Sequence, residues 1–405
     1  LYLCVMKILW KIITWIIIII CVLILILYAT GNDYIFRGVK LTYLKGEKTA
    51  NIDDYKDFDN NVIMAASPRV WHQHLDYNQF PLSANFEKEM KDFGTAGFVI
   101  IKDNQILSEY YFNGYVQNDL TNSFSMAKTF TTMMLGKAIE QGYIKSLDQK
   151  ITDFIPEFKD DKFGAQCTIG DLSAMTSGYD WDEDYYFPLN PTAKAYYGDD
   201  IVKQMLDRKF VAQPGGHFKY QSSDTQLLGI VIERALKNKS LSQYFQEEFW
   251  QPMGMELDAQ WSKDNPKGME KTYCCFNATA RDFAKLGQLL LNDGNWYGKQ
   301  ILDSAFVKKM VLPNTKAFNP NEPKIYGYSV WMDYDYKTPF YTMLGHLGQR
   351  VIVIPSEKLV VVRTGKTHND QPNNRPIADG DVYRLVDEAM RINENVKKND
   401  STNSL

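Results

Sequence analysis

Ser125-Met126-Ala127-Lys128-Thr129-Phe130 opens an apolar run that continues through Met133, Met134, Leu135, Ala138 and Ile139, and the reading of this stretch decides the fold. Residues three apart share a helix face, so at a helix start the Ser125 hydroxyl and the Lys128 amine can meet. Serine is also a preferred helix cap, which is the plain alternative. A capping box would place Glu or Gln at the third following position, where this chain has a lysine. The positive end of the helix dipole disfavours an ammonium there, and apolar surroundings disfavour it further by desolvation; both push the lysine pKa down toward that of a usable base. Such a lysine can take the proton of Ser125 and make the hydroxyl a nucleophile. No other serine in the chain has a lysine at i+3.

Two further elements lie downstream. Tyr220-Gln221-Ser222 stands just before a predicted helix. A nearby ammonium stabilises a phenolate, so Tyr220 is a candidate proton shuttle, and Ser222 is a candidate to orient the lysine or the leaving group. Tyr111-Phe112-Asn113 has a related spacing but falls in a strand ahead of the serine, and is set aside. His346-Leu347-Gly348 follows an apolar strand. Gly348 would let a substrate run along that strand edge, and the Gln349 N–H would join that of Ser125 as a two-donor oxyanion hole. Trp181 is expected to line the cleft, beside a solvated rim formed by Asp180, Asp182, Glu183 and Asp184.

Around these elements the pattern is mixed. Ala96 to Asp103 and Gln105 to Phe112 read as two strands around an Asp-Asn turn. Helical spacing covers 126–141, 225–237, 278–292 and 303–311. Strand signals return over 326–334, 340–346, 350–355 and 358–364, and a closing helix is expected from Ile377 to Asn393. Strands at both ends with helices between them predict an α+β fold: one antiparallel sheet from the N- and C-terminal segments, flanked by helices, with an inserted helical lobe. The cleft between sheet and lobe is the place for a site.

Taken together, the order Ser125-x-x-Lys128, Tyr220, His346-x-Gly348 resembles the serine beta-lactamases and penicillin-binding proteins. The likeness is strongest to the class C-like branch with family VIII carboxylesterases and 6-aminohexanoate-dimer hydrolases. Thr168 to Trp181, Asn277 to Ile301 and Gly345 to Pro355 resemble further landmarks of that family, and the resemblance runs from Phe86 to Asn393. It implies that Ser125 is acylated, that Lys128 is its base or proton relay, and that Tyr220 is the shared acid and base. The N–H groups of Ser125 and Gln349 would form the oxyanion hole, and Ser222, His346, Gly348 and Trp181 would contact substrate. Where beta-lactamases carry Lys-Thr-Gly this chain has His346-Leu347-Gly348, and where class C enzymes carry Tyr-x-Asn it has Tyr220-Gln221-Ser222. The missing cation favours a small-molecule or short-peptide ester or amide over a beta-lactam. A peptidoglycan-directed peptidase and an acylated sensor without turnover are the rival readings.

Composition narrows the remainder. Asp and Glu number 49 against 45 Lys and Arg, and the basic residues are scattered, so no nucleic-acid partner is expected. Of the five cysteines none forms a Cys-x-x-Cys pair, and the His72-x-His74 pair lacks metal-site company; neither a metal nor an organic cofactor is expected. Residues 12–29 form eighteen uncharged, mostly Ile and Leu positions, enough to cross a bilayer and long for a cleaved signal. The expected organisation is an anchor or signal over 1–31, a tether over 32–85 without chemistry of its own, the hydrolase domain over 86–395 and a polar tail over 396–405. By resemblance to exported enzymes, the domain faces the outside of the cytoplasmic membrane.

Overall fold

The computed structural model describes residues 2–314, 317–318, 324–369, 375–377 and 380–403. Its centre is a seven-stranded sheet. The strands are β1 (His72–Gln73), β2 (Thr95–Lys102), β3 (Gln105–Tyr111), β4 (Trp331–Asp333), β5 (Phe340–Gly345), β6 (Gln349–Ile354) and β7 (Leu359–Gly365), in the spatial order β4-β5-β6-β7-β2-β3-β1. Every pairing is antiparallel except that of the short edge strand β1 with β3. The β2–β3 hairpin closes through Asp103 and Asn104, both at positive φ (49° and 63°), the backbone a two-residue primed turn requires.

The unbroken apolar runs of β6 and β7 follow from burial on both faces. Val351, Val353, Val360 and Val362 face one hydrophobic cluster, while Ile352, Ile354, Leu359 and Val361 face the other. The sequence from Arg350 to Thr364 therefore shows no polar alternation even though its side chains alternate strictly. On the first face lies α6 (Ala280–Leu291), whose Gly287 packs so closely that a Cβ there would stand 2.6 Å from Val351 and 2.7 Å from Val360. On the second lies α7 (Asp381–Asn403).

Between β3 and β4 the chain builds the helical lobe. It contains α3 (Ala127–Glu140), the short α4 (Pro191–Tyr197) and α5 (Ser222–Leu236). A small sheet joins Asn60–Ile63, Ala259–Ser262, Phe276–Ala278 and Thr121–Asn122, so the segment read as a tether is woven into the body. At the N-terminus, α1 (Tyr2–Ala29) is long and apolar enough to cross a membrane and is exposed along its length; α2 (Tyr34–Leu41) follows after four residues.

Two expectations shift. The strand expected over 326–334 is reduced to Trp331–Asp333, because Ser329 turns at φ 56° and gives its N–H to the Ser173 carbonyl rather than to a sheet partner. Within the expected closing helix and the polar tail, residues 378–379 and 404–405 lie outside the described residues, and the helix runs from Asp381 to Asn403. It extends past Asn393 because Val396 is fully buried and Lys397 pairs with Glu357.

Candidate active site

Ser125 sits in a single 3₁₀ turn, Phe124–Met126, that runs directly into α3. The turn is held from several sides: Ser123 N–H donates to the Phe276 carbonyl at 2.8 Å, and Phe124 N–H donates to Asn122 Oδ1 at 2.8 Å. Phe124 is buried at φ +44°, a conformation that a bulky residue adopts only when its surroundings impose it. Constraints of this kind fix the neighbouring serine at the lobe–sheet junction.

Lys128 is 1% exposed and makes three hydrogen bonds from Nζ: to Ser125 Oγ at 2.8 Å, to Ser222 Oγ at 3.2 Å and to the Tyr273 carbonyl at 3.1 Å. Burial pushes its pKa down to about 8, with the nearby charges of Glu183 and Asp224 opposing the fall. Once deprotonated, the amine has two N–H donors and one lone pair. The Tyr273 carbonyl cannot donate to that lone pair. Ser222 cannot either, because its hydroxyl donates to Glu183 Oε1 at 2.6 Å. Of these three bonded partners the Ser125 hydroxyl is the one left to donate, an arrangement that points the serine proton at the amine.

Glu183 organises this set. Its carboxylate accepts from Ser222 N–H at 2.7 Å, Ser222 Oγ at 2.6 Å, Trp181 Nε1 at 2.9 Å and the Tyr185 hydroxyl at 2.8 Å. Sequence reasoning placed it in a solvated rim, and that reading is corrected: Glu183 is turned inward. A usable signal was present, since Trp181, Glu183 and Tyr185 stand two residues apart, a spacing that shares one face wherever the chain is extended. Trp181 is likewise corrected. Its indole is buried behind the cleft wall, donating to Glu183 and to Thr192 Oγ1, and lines neither cavity beside Ser125.

Tyr220 is half-buried, with its ring centroid 5.0 Å from Lys128 Nζ and its ring against Trp331 at 5.2 Å. The structure thus brings Ser125, Lys128, Tyr220 and Ser222 together around one amine. Behind them Asp224 Oδ1 accepts from Ser177 Oγ at 2.6 Å and from Gln221 Nε2 at 2.7 Å, and burial raises this carboxyl to about 7. His346 packs against the rings of Phe124 and Tyr185, and burial pushes it down to about 4, so it is neutral at pH 7.

Gly348 and Gln349 line neither of the two cavities at Ser125. Gly348, at φ +85°, serves the β5–β6 turn, where a Cβ would stand 2.1 Å from Arg363 Nη1. Gln349 is buried, and its side chain bonds the His346 and Gly365 carbonyls. Neither lines a cavity that Ser125 lines; Gly345 and His346, at the end of β5, do. The close approach expected of Gly348 belongs to Gly345, where a Cβ would stand 2.2 Å from the Ser123 carbonyl oxygen.

Two cavities meet at Ser125, Tyr185 and His346. One, of about 490 Å³, is lined by Tyr220, Phe218, Trp331 and Gly345. The other is a narrow slot of about 60 Å³, lined by Phe124, Ala193, Tyr196, Tyr273 and Ser222. Cys274, bonded to Cys275 in a disulfide between adjacent residues, also lines the slot. Thr49 and Ala50, from the segment read as a tether, complete its wall.

Comparison with known proteins identifies relatives of the chain and of its fold. The chain is 23% identical over 240 residues to the 6-aminohexanoate-dimer hydrolase of Paenarthrobacter ureafaciens, covering 56% of this chain and 59% of that protein. It spans at most 59% of the length of that hydrolase and of a beta-lactamase-like protein of Dictyostelium discoideum. A solved structure of a candidate 6-aminohexanoate-dimer hydrolase from Bacillus anthracis superposes with TM-score 0.73 at 26% identity, over 88% of this chain and 95% of that one. A family VIII carboxylesterase shares the fold with TM-score 0.56 at 18% identity, over 76% of this chain and 95% of its own. Residues 82–385 match the Beta-lactamase family across most of the chain, so the protein belongs to the beta-lactamase family.

Proposed function

We propose that the protein is a serine hydrolase that cleaves an ester or amide through an acyl-enzyme on Ser125. The observation that carries this reading is the set of hydrogen bonds at Lys128: with Ser222 committed to Glu183, the Ser125 hydroxyl is the one of the three bonded partners that can donate to the neutral amine. A pKa near 8 gives an appreciable neutral fraction at physiological pH.

In the acylation step Ser125 Oγ attacks the substrate carbonyl while its proton passes to Lys128. The backbone N–H groups of Ser125 and His346 are the proposed oxyanion donors, His346 replacing Gln349 because it lines the cleft. Collapse of the tetrahedral intermediate breaks the bond to the leaving group, which takes a proton from Tyr220; Lys128 returns the proton to the phenol. Water then enters, gives a proton back through the same groups and releases the acid, leaving Ser125 protonated. The neutral His346 offers no fixed cation for a beta-lactam carboxylate, which favours another ester or amide. The test is a fluorophosphonate adduct mapped by mass spectrometry, together with p-nitrophenyl acetate turnover. Both should disappear in Ser125→Ala. A stoichiometric burst without turnover would instead indicate an acylated sensor, and labelling that persists in the variant would refute the assignment.

A further inference from the structure

Tyr220, the proposed donor to the leaving group, lines the wide cavity and not the narrow slot. The substrate assignment rests on the hydrolase reading, under which the leaving group occupies the wide side and the acyl group the slot. The slot is small and mostly apolar, a lining that suits an unbranched hydrocarbon chain. It does not end at its own wall. Thr49, Tyr185, Ala193 and Tyr197 line both the slot and a further, mainly apolar cavity, whose other lining comes from α2, from Thr42, Tyr43 and Lys48, and from Tyr186 to Pro188. Around that outer cavity apolar side chains face solvent: Tyr43 is 64% exposed, Leu44 77%, Phe187 54% and Tyr186 65%. A patch of this kind on a soluble face is a liability unless something covers it. Only four residues separate α2 from the apolar helix α1, and the rings of Tyr28 in α1 and Phe36 in α2 meet in a tilted contact with centroids 5.6 Å apart. The outer opening therefore lies where a bilayer crossed by α1 would begin, and the aromatic residues there are those favoured at a membrane interface.

We infer that the substrate is a membrane-borne ester with a linear acyl chain, which lies along the slot lined by Ala193 with its carbonyl at Ser125 and its tail directed past α2 toward the bilayer. The reaction is simple hydrolysis: the acyl–oxygen bond to the head-group alcohol breaks, the alcohol takes a proton, and water supplies the hydroxyl of the released fatty acid.

The experiment uses the full chain reconstituted in phosphatidylcholine vesicles, with p-nitrophenyl esters from acetate to decanoate and 4-methylumbelliferyl palmitate carried in the bilayer. Burying each methylene should raise kcat/KM by roughly fourfold until the slot is filled, so decanoate should exceed acetate by at least about a hundredfold. Ala193→Trp, which fills the passage between the two cavities, should reduce the decanoate-to-acetate ratio by at least about tenfold. Tyr43→Asp, at an exposed position that places no demand on folding, should lower palmitate turnover in vesicles by a similar factor. Wild-type kcat/KM that peaks at acetate or butyrate would overturn the channel, whatever the variants do. Unchanged palmitate turnover in Tyr43→Asp would overturn access from the bilayer. Fluorophosphonate labelling of Ser125 separates these failures from failure of the hydrolase reading, which alone would abolish the adduct.

Discussion

Replacing Glu183 by Gln tests the proton arrangement more sharply than deleting the nucleophile. Ser222 N–H and Trp181 Nε1, which meet Glu183 Oε2 at 2.7 and 2.9 Å, can only donate. In Glu183→Gln the amide oxygen must therefore take that position, which puts the amide NH2 where Oε1 receives the Ser222 and Tyr185 hydroxyls. Ser222 then accepts from the amide, and its own hydrogen becomes free to occupy the Lys128 lone pair, 3.2 Å away. Ser125 loses its exclusive claim on the base. Exchanging a charge-assisted bond for a neutral one is worth about 1–2 kcal/mol, so kcat/KM should fall about 5- to 30-fold with the fold intact. A second signature has a fixed sign. Glu183 raises the Lys128 pKa, so its loss must move the acid limb of the pH–rate profile below the wild-type midpoint near 8. The assay is ester turnover from pH 5 to 10, alongside circular dichroism. A variant that kept wild-type kcat/KM within twofold and the same midpoint would refute the reasoning.

The other expectations are simpler. Wild-type kcat/KM should rise with pH through about 8 and show no transition from His346, whose pKa lies near 4; a midpoint near 6.5 would assign the base elsewhere. Asp224→Asn keeps an acceptor for Ser177 and Gln221 but removes a charge that raises the Lys128 pKa, so its midpoint should fall in the same rate assay. Lys128→Met should abolish turnover yet stabilise the protein at pH 7. Holding this pKa near 8 against an ordinary 10.5 costs roughly 3 kcal/mol, a cost fully present below pH 8 and relieved as pH rises toward 10.5. After the loss of its hydrogen bonds a net gain of about 1–2 kcal/mol should remain in chemical denaturation. Gly345→Ala would drive a methyl against the Ser123 carbonyl at 2.2 Å; a loss of about 1–3 kcal/mol and of most activity is expected, read by thermal melts and ester turnover.

The parts of the fold and site that were legible in the sequence share a physical reason. Local chemistry announces itself: the Asp103-Asn104 turn, the apolar strands from Arg350 to Thr364, and a lysine where a helix start should carry an acid. Contacts between distant segments leave weaker traces. Glu183 looked solvent-facing because its neighbours are acidic, and only the tertiary fold reveals which of them turns inward. The Tyr273 carbonyl that holds Lys128 is a backbone atom and has no sequence signature at all. The exchange of Gly348 and Gln349 for Gly345 and His346 has a similar origin. The turn between β5 and β6 is short, with Leu347 at φ 62°, so the strand edge facing Ser125 ends earlier than the Gly348 motif suggests.

The way β7 pairs with β2, Leu359 opposite Lys102, has a consequence for biosynthesis. A ribosome delivers Ser125, Lys128 and Glu183 long before it delivers β5, the strand that faces them. The cleft at Ser125 is therefore completed only as the last part of the polypeptide docks, and a chain interrupted before His346 would carry Ser125 and Lys128 without the wall that His346 helps to form. Joining segments so far apart is also slow, since non-local strand pairing must close large loops before it gains contacts.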